Sequence, residues 1–90
     1  MKRRILVVDD EPYNLLGLKI ILQAADKSGL IKDYIDEATN GLDALRAVKK
    51  AHMEGNFQYG LIFMDCSMPI MDGYEATDKI RSFIRTKNYQ

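Results

Sequence analysis

Two unbroken apolar runs, Ile5-Leu6-Val7-Val8 and Leu61-Ile62-Phe63-Met64, each lead straight into aspartate, and they constrain the fold of this chain more than any other feature. A short apolar run without polar alternation marks a strand covered on both faces, and such strands belong to parallel sheets flanked by helices. The segments between them fit that reading. Pro12 stands where the first turn of a helix tolerates a missing N–H. Leu15, Leu18, Leu22 and Ala25 follow at helical spacing, with Gly17 among them costing roughly 1 kcal/mol against Ala. Tyr34-Ile35-Asp36-Glu37-Ala38 reads as a weaker second strand. Asn40-Gly41 turns the chain, and Leu42, Leu45 and Val48 carry the apolar stripe of a second helix, which Gly55-Asn56 breaks. After Pro69, Asp72-Gly73 opens a third helix with Ala76, Thr77, Ile80 and Ile84 on its inner face. Three strand-then-helix units predict an α/β fold with right-handed crossovers. Ninety residues leave room for one domain.

Charge and composition exclude several functions. Lys plus Arg and Asp plus Glu both number 13, giving no net charge, so a nucleic-acid binder held by a basic face is not expected. Lys2-Arg3-Arg4 is too short to alter this and is read as solvating the N-terminus. The apolar runs fall far short of the roughly 20 residues of a membrane span. A signal peptide is rejected because Met1–Val8 runs directly into Asp9-Asp10-Glu11. The single cysteine, Cys66, permits no internal disulfide, and no Cys/His cluster suits zinc. The expectation is an intracellular, cytoplasmic protein.

In a parallel sheet, ligands gather beyond the carboxyl ends of the strands. Asp9 and Asp10 directly follow the first strand and Asp65 the third. Three carboxylates would therefore converge if those strands are neighbours. Two like charges about 4 Å apart repel by on the order of 4 kcal/mol at an effective dielectric of 20, so the cluster needs a cation or a raised pKa. No Lys or Arg lies close by on the helix side of these loops. A hard divalent ion, magnesium rather than calcium, suits the site. Glu11 and Asp72 are read instead as caps for the open N–H groups of the first and third helices.

The segments Ile5-Leu6-Val7-Val8-Asp9-Asp10-Glu11, Glu37-Ala38-Thr39-Asn40-Gly41-Leu42-Asp43-Ala44-Leu45 and Met64-Asp65-Cys66-Ser67-Met68-Pro69-Ile70-Met71-Asp72-Gly73 resemble the receiver domain of two-component response regulators and hybrid histidine kinases. Asn14 and the Asp-Cys-Ser-Met-Pro form look more like the receivers of hybrid kinases and phosphorelays. The resemblance runs from Arg4 to about Arg81. It implies a flavodoxin-like, doubly wound parallel sheet, with Asp65 as phosphoacceptor attacking a phosphohistidine. Asp9, Asp10 and Asp65, with the backbone carbonyl of Ser67, would hold Mg2+. Met68, Pro69 and Gly73 would shape the loop beside Asp65. The partners implied are a histidine kinase or a histidine phosphotransfer protein, with no membrane contact by this segment. The module would be a phosphoacceptor, not an enzyme. Cys66 is read as a small apolar filler, His52 as a surface residue, and Tyr13 as partly exposed. Met64, Met68 and Met71 are read as core or loop packing.

The family has five strands in the order 2-1-3-4-5, whereas this chain provides three βα units, giving an incomplete sheet of order 2-1-3. Residues 1–90 are thus expected to be the N-terminal portion of a receiver. By that resemblance the family's fourth strand, with its Ser or Thr, and fifth, with its Lys, are not expected within these 90 residues, and Thr86 and Lys87 are not expected to replace them. The third strand would be an open edge, inviting a homodimer or a swapped oligomer. Two other functions stay open at this point. One is a degenerate receiver that binds a partner without phosphorylation. The other is a magnesium-dependent phosphohydrolase using Asp9, with Glu11 two residues on.

Overall fold

The computed structural model describes residues 2–55 and 57–88, so expectations touching Met1, Asn56, Tyr89 and Gln90 lie outside it. Strand β1 (Lys2–Val8) is followed by α1 (Pro12–Ala25), a 3-10 turn (Ile31–Tyr34), β2 (Ile35–Ala38), α2 (Gly41–Glu54), β3 (Phe57–Met64) and α3 (Gly73–Asn88). The sheet is parallel, ordered β2-β1-β3, with Val8 level with Ala38 on one side and Met64 on the other. This is the doubly wound, flavodoxin-like arrangement expected from the alternating elements.

Side chains of a strand alternate between faces, and the core divides accordingly. Leu6 and Val8 join Ala38, with Ala44, Leu45 and Val48 of α2 and Ile80 of α3, in one buried cluster against which Ile62 and Met64 pack. Val7 and Leu15, both buried, fall outside that cluster, on the opposite face, where α1 lies against β1. β1 is therefore covered on both faces, as its unbroken apolar run requires. β3 forms one edge of the sheet and β2 the other, and Leu61 in β3 remains 48% exposed.

Several local expectations need correction. β1 and β3 both begin earlier than their aliphatic cores, at Lys2 and Phe57, because pairing along the register from Lys2–Phe57 onward extends them ahead of the apolar run. Tyr34 belongs to the 3-10 turn. Of the apolar stripe expected on α1, Leu15 is buried and Leu18 and Leu22 are half-buried, whereas Ala25 is exposed, as are Leu16, Ile20 and Ile21 outside the stripe. On α3, Ala76 and Ile80 are buried but Ile84 is 39% exposed. Asn40 and Gly41 form a helix start, not a free turn: the Asn40 side chain accepts from the Asp43 N–H at 2.8 Å. Gly55, left-handed at φ 70°, ends α2. Glu11 stands at the start of α1 without a side-chain capping bond. Asp72 does cap α3, accepting the Glu75 N–H at 2.8 Å.

The basic N-terminus does more than solvate. Arg4 Nε and Nη2 donate to Asp36 Oδ2 and Oδ1 at 2.9 and 2.7 Å, and the Tyr59 hydroxyl donates to Asp36 Oδ2 at 2.7 Å. One residue from each strand thus meets at the amino-end half of the sheet. The Arg4 guanidinium holds the Asp36 carboxyl below its ordinary range, with Tyr59 adding to this. Burial, then the bond to Asp36, pushes the Tyr59 phenol upward. A carboxyl depressed on folding binds fewer protons than the unfolded chain. Its contribution is therefore complete above the unfolded value near 3.9 and lost as pH falls through the folded one. A raised phenol stabilises below about 10 and loses that contribution as the solution becomes more alkaline. Asp36→Asn should flatten the acid limb of a stability profile from urea melts between about pH 2 and 6. An unchanged acid limb would show that the contact is energetically idle.

Candidate metal and phosphoryl site

β1 and β3 are direct neighbours, so the loops that follow them leave the same edge of the sheet. Asp9 donates its N–H to the Ala38 carbonyl at 3.2 Å, and Asp65 donates its N–H to the Val8 carbonyl at 2.9 Å. These bonds continue the ladder one residue past each strand and fix where the side chains depart. One carboxylate oxygen from each of Asp9, Asp10 and Asp65 lies within 4.8 Å of the other two. Asp9 and Asp65 are half-buried and Asp10 is exposed. Asp9 Oδ1 also accepts the Glu11 N–H at 2.9 Å, which restrains its rotamer. Among the described residues no Lys or Arg forms an ion pair with any of the three.

Three carboxylates so close, all oxygen donors and without a cationic side chain, fit a hard divalent cation. Magnesium, which keeps several waters and takes one or two carboxylates, suits a partly open cluster better than a closed protein cage would. The donor set contains no sulfur or imidazole that would favour zinc or copper.

The segment from Asp65 to Gly73 leads from the end of β3 into α3. Met68 is buried, and Met64 and Met71 pack against the core, as expected. Met71 donates its N–H to the Pro69 carbonyl at 2.8 Å, and Gly73 donates to the Cys66 carbonyl at 3.2 Å. Between them Ile70 takes φ 72°, a left-handed conformation that disfavours a β-branched side chain. Gly73 is buried, and a Cβ there would meet the Asp65 carbonyl. Cys66 is exposed, contrary to the expectation of a packed filler, because the chain has already left the sheet at that point. His52 is at the surface, edge-on to Phe83 with ring centroids 5.5 Å apart. Tyr13 is 82% exposed, more open than expected. The reading of the sequence missed Gly41: its N–H donates to the Met71 carbonyl at 3.0 Å. The Asn40-Gly41 pair was the available signal, but by itself it indicates only a turn.

A doubly wound parallel sheet with an acidic trio at its carboxyl edge defines a flavodoxin-like α/β module whose oxygen donors fit a divalent cation. Residues 5–88 match the response regulator receiver domain family, and the chain belongs to that family, as a receiver domain of two-component and phosphorelay proteins. It is 41% identical over 78 residues to the two-component response regulator ORR41 of Oryza sativa subsp. japonica, covering 87% of this chain and 55% of that protein. It is 40% identical over 85 residues to the probable histidine kinase 1 of Oryza sativa subsp. indica, covering 94% of this chain and 8% of that protein. The crystal structure of the receiver domain of the histidine kinase CKI1 from Arabidopsis thaliana, complexed with Mg2+ and BeF3-, superposes with a TM-score of 0.75 at 32% identity, covering 94% of this chain and 58% of that one. The chain thus spans about half of the similar response regulator and a small part of the similar kinase. Family membership disfavours the phosphohydrolase alternative. Among the described residues no helix is long and apolar enough to cross a membrane.

Proposed function

We propose that Asp65 accepts a phosphoryl group from a phosphohistidine on a histidine kinase or a histidine phosphotransfer protein, with Mg2+ held by Asp9, Asp10, Asp65 and the backbone carbonyl of Ser67. The observation that carries this reading is the convergence of three carboxylate oxygens within 4.8 Å at the carboxyl edge of the sheet. A carboxylate oxygen of Asp65 attacks phosphorus, the new O–P bond forms as the N–P bond breaks, and the departing imidazole keeps the electron pair and takes up a proton. Bound magnesium supplies positive charge against the phosphoryl oxygens as nucleophile and phosphoryl group, both anionic, approach. Asp9, fixed by the Glu11 N–H, and Asp10 hold the ion in place. Met68, Pro69 and Gly73 hold the Asp65 loop in its path. The module acts as a phosphoacceptor, not as a turnover enzyme, and operates in the cytoplasm. Residues 1–90 correspond to the first three βα units of the receiver fold.

Incubating the chain with Mg2+ and acetyl phosphate should add one phosphoryl group by intact mass, and EDTA should prevent it. Steady phosphate release from generic esters would favour a phosphohydrolase, and no modification at all would favour a binding module without phosphotransfer. The open edge of β3, a strand with no charged residue, also supports self-association of this chain. Light scattering should show the apparent mass rising with concentration. A constant monomer mass up to high micromolar concentration would remove the homodimer or swapped oligomer.

A further inference from the structure

The geometry points to Gly41 as a positioning residue for the Asp65 loop: the amino end of α2 is a fixed stop that sets where residues 71–73 lie, and through them Asp65. This deepens the phosphoacceptor reading and rests on it. Asn40 and Asp43 hold the first turn of α2 rigid from both sides. The Asp43 N–H donates to Asn40 Oδ1 at 2.8 Å, Asn40 Nδ2 donates to Asp43 Oδ2 at 3.1 Å, and the Ala44 N–H donates to the Asn40 carbonyl at 3.1 Å. Against this turn the loop backbone closes directly. The Gly41 N–H reaches the Met71 carbonyl at 3.0 Å. A Cβ on Gly41 would collide with that same carbonyl, lie 2.8 Å from the Ala76 Cβ and 3.0 Å from the Asp72 carbonyl. Two of these three neighbours are backbone and cannot swing aside. From Met71 the chain passes to Gly73, whose N–H holds the carbonyl of Cys66, the residue after Asp65. Position 41 is thus two backbone links from the phosphoacceptor.

Propensity and packing predict opposite signs here, which makes the inference testable. Gly41 has no left-handed backbone, and Ala is a better helix former than Gly. An isolated helix would therefore gain from Gly41→Ala. Packing requires instead that the Met71–Asp72 backbone retreat, on the order of 1 Å, a misplacement that can cost about a hundredfold in rate when it reaches a reacting group. Gly17, in α1, has no atom within 4 Å of where its Cβ would stand, so Gly17→Ala provides the matching change without a clash.

The experiment measures phosphorylation by acetyl phosphate with saturating Mg2+, per folded molecule, with the folded fraction read by circular dichroism. Gly41→Ala should lower the maximal rate about tenfold to a hundredfold. Gly17→Ala should leave it unchanged, as should Val48→Ala, a buried α2 substitution that destabilises through a cavity. A Gly41→Ala rate equal to wild type, or an equal loss in Val48→Ala, would overturn the positioning role while leaving phosphoacceptor function intact. Should Gly41→Ala fail to fold, the wild-type chain still decides. On adding Mg2+ and beryllofluoride, the Gly41 amide resonance should shift more than those of Gly17 and Gly55. A Gly41 amide that stays still while Asp65 responds would overturn the inference. A wild-type chain that neither gains a phosphoryl group nor responds to beryllofluoride would overturn both readings.

Discussion

Asp65→Asn should abolish phosphoryl uptake entirely and at the same time raise the stability of the metal-free chain. The two effects share one cause. The amide lacks the anionic oxygen that attacks phosphorus, so no O–P bond forms. It also removes one of three like charges whose oxygens lie within 4.8 Å of one another. Asp10 is exposed and Asp9 and Asp65 are half-buried, so solvent screens the repulsion, and the gain should be about 1 kcal/mol or less. Magnesium separates the variants further. A ligand at a hundred times its dissociation constant stabilises a fold by about 2.7 kcal/mol. Wild type should show that rise in Tm, and Asp65→Asn should show little of it. Melts with Mg2+ and with EDTA, run beside intact-mass measurements, test both halves. Equal Mg2+ shifts in the two proteins would remove Asp65 from the metal site.

The second large effect belongs to the loop. Gly73→Ala places a methyl group onto the Asp65 carbonyl and 3.0 Å from the Cys66 Cα, at a buried position where α3 begins. Overpacking of a tight site costs typically about 1–3 kcal/mol, and more where backbone must yield. For a domain of this size each kcal/mol moves Tm by roughly 4–8 °C. A fall of roughly 10 °C or more is expected in a circular dichroism melt, with a matching loss of Mg2+ response because the displaced carbonyl is that of Asp65 itself. A Tm within a degree or two of wild type would mean that the loop opens freely at Gly73.

How far the sequence could be read depended on the range of the forces involved. The continuous apolar runs ending at Val8 and Met64 announced parallel strands, buried in β1 and half-exposed in β3, and strand geometry then brought Asp9, Asp10 and Asp65 together. Those inferences use short-range pattern and a topological rule, which sequence carries directly. The Arg4–Asp36–Tyr59 contact was not legible, because residues 32 and 23 positions apart meet only once the register is set. Gly41 eluded reading for the same reason: its neighbours at Met71 and Ala76 lie on another element. The exposed side of α1, with Leu16, Ile20 and Ile21, shows the opposite limit. Its residues look like core at helical spacing, and only the packed sheet reveals that half of them have nothing to cover.

The three helices all begin at the edge of the sheet where the carboxylates gather, at Pro12, Gly41 and Gly73. Each amino terminus carries the positive end of its macrodipole, equivalent to about half a unit charge and felt mainly within the first turn. The peptide backbone therefore offsets part of the field of the acidic trio before any ion arrives. A doubly charged ion held there would cancel two of the three negative charges, leaving the helix ends to lower the remaining repulsion toward an incoming anion. The strength of that compensation should fade as ionic strength rises.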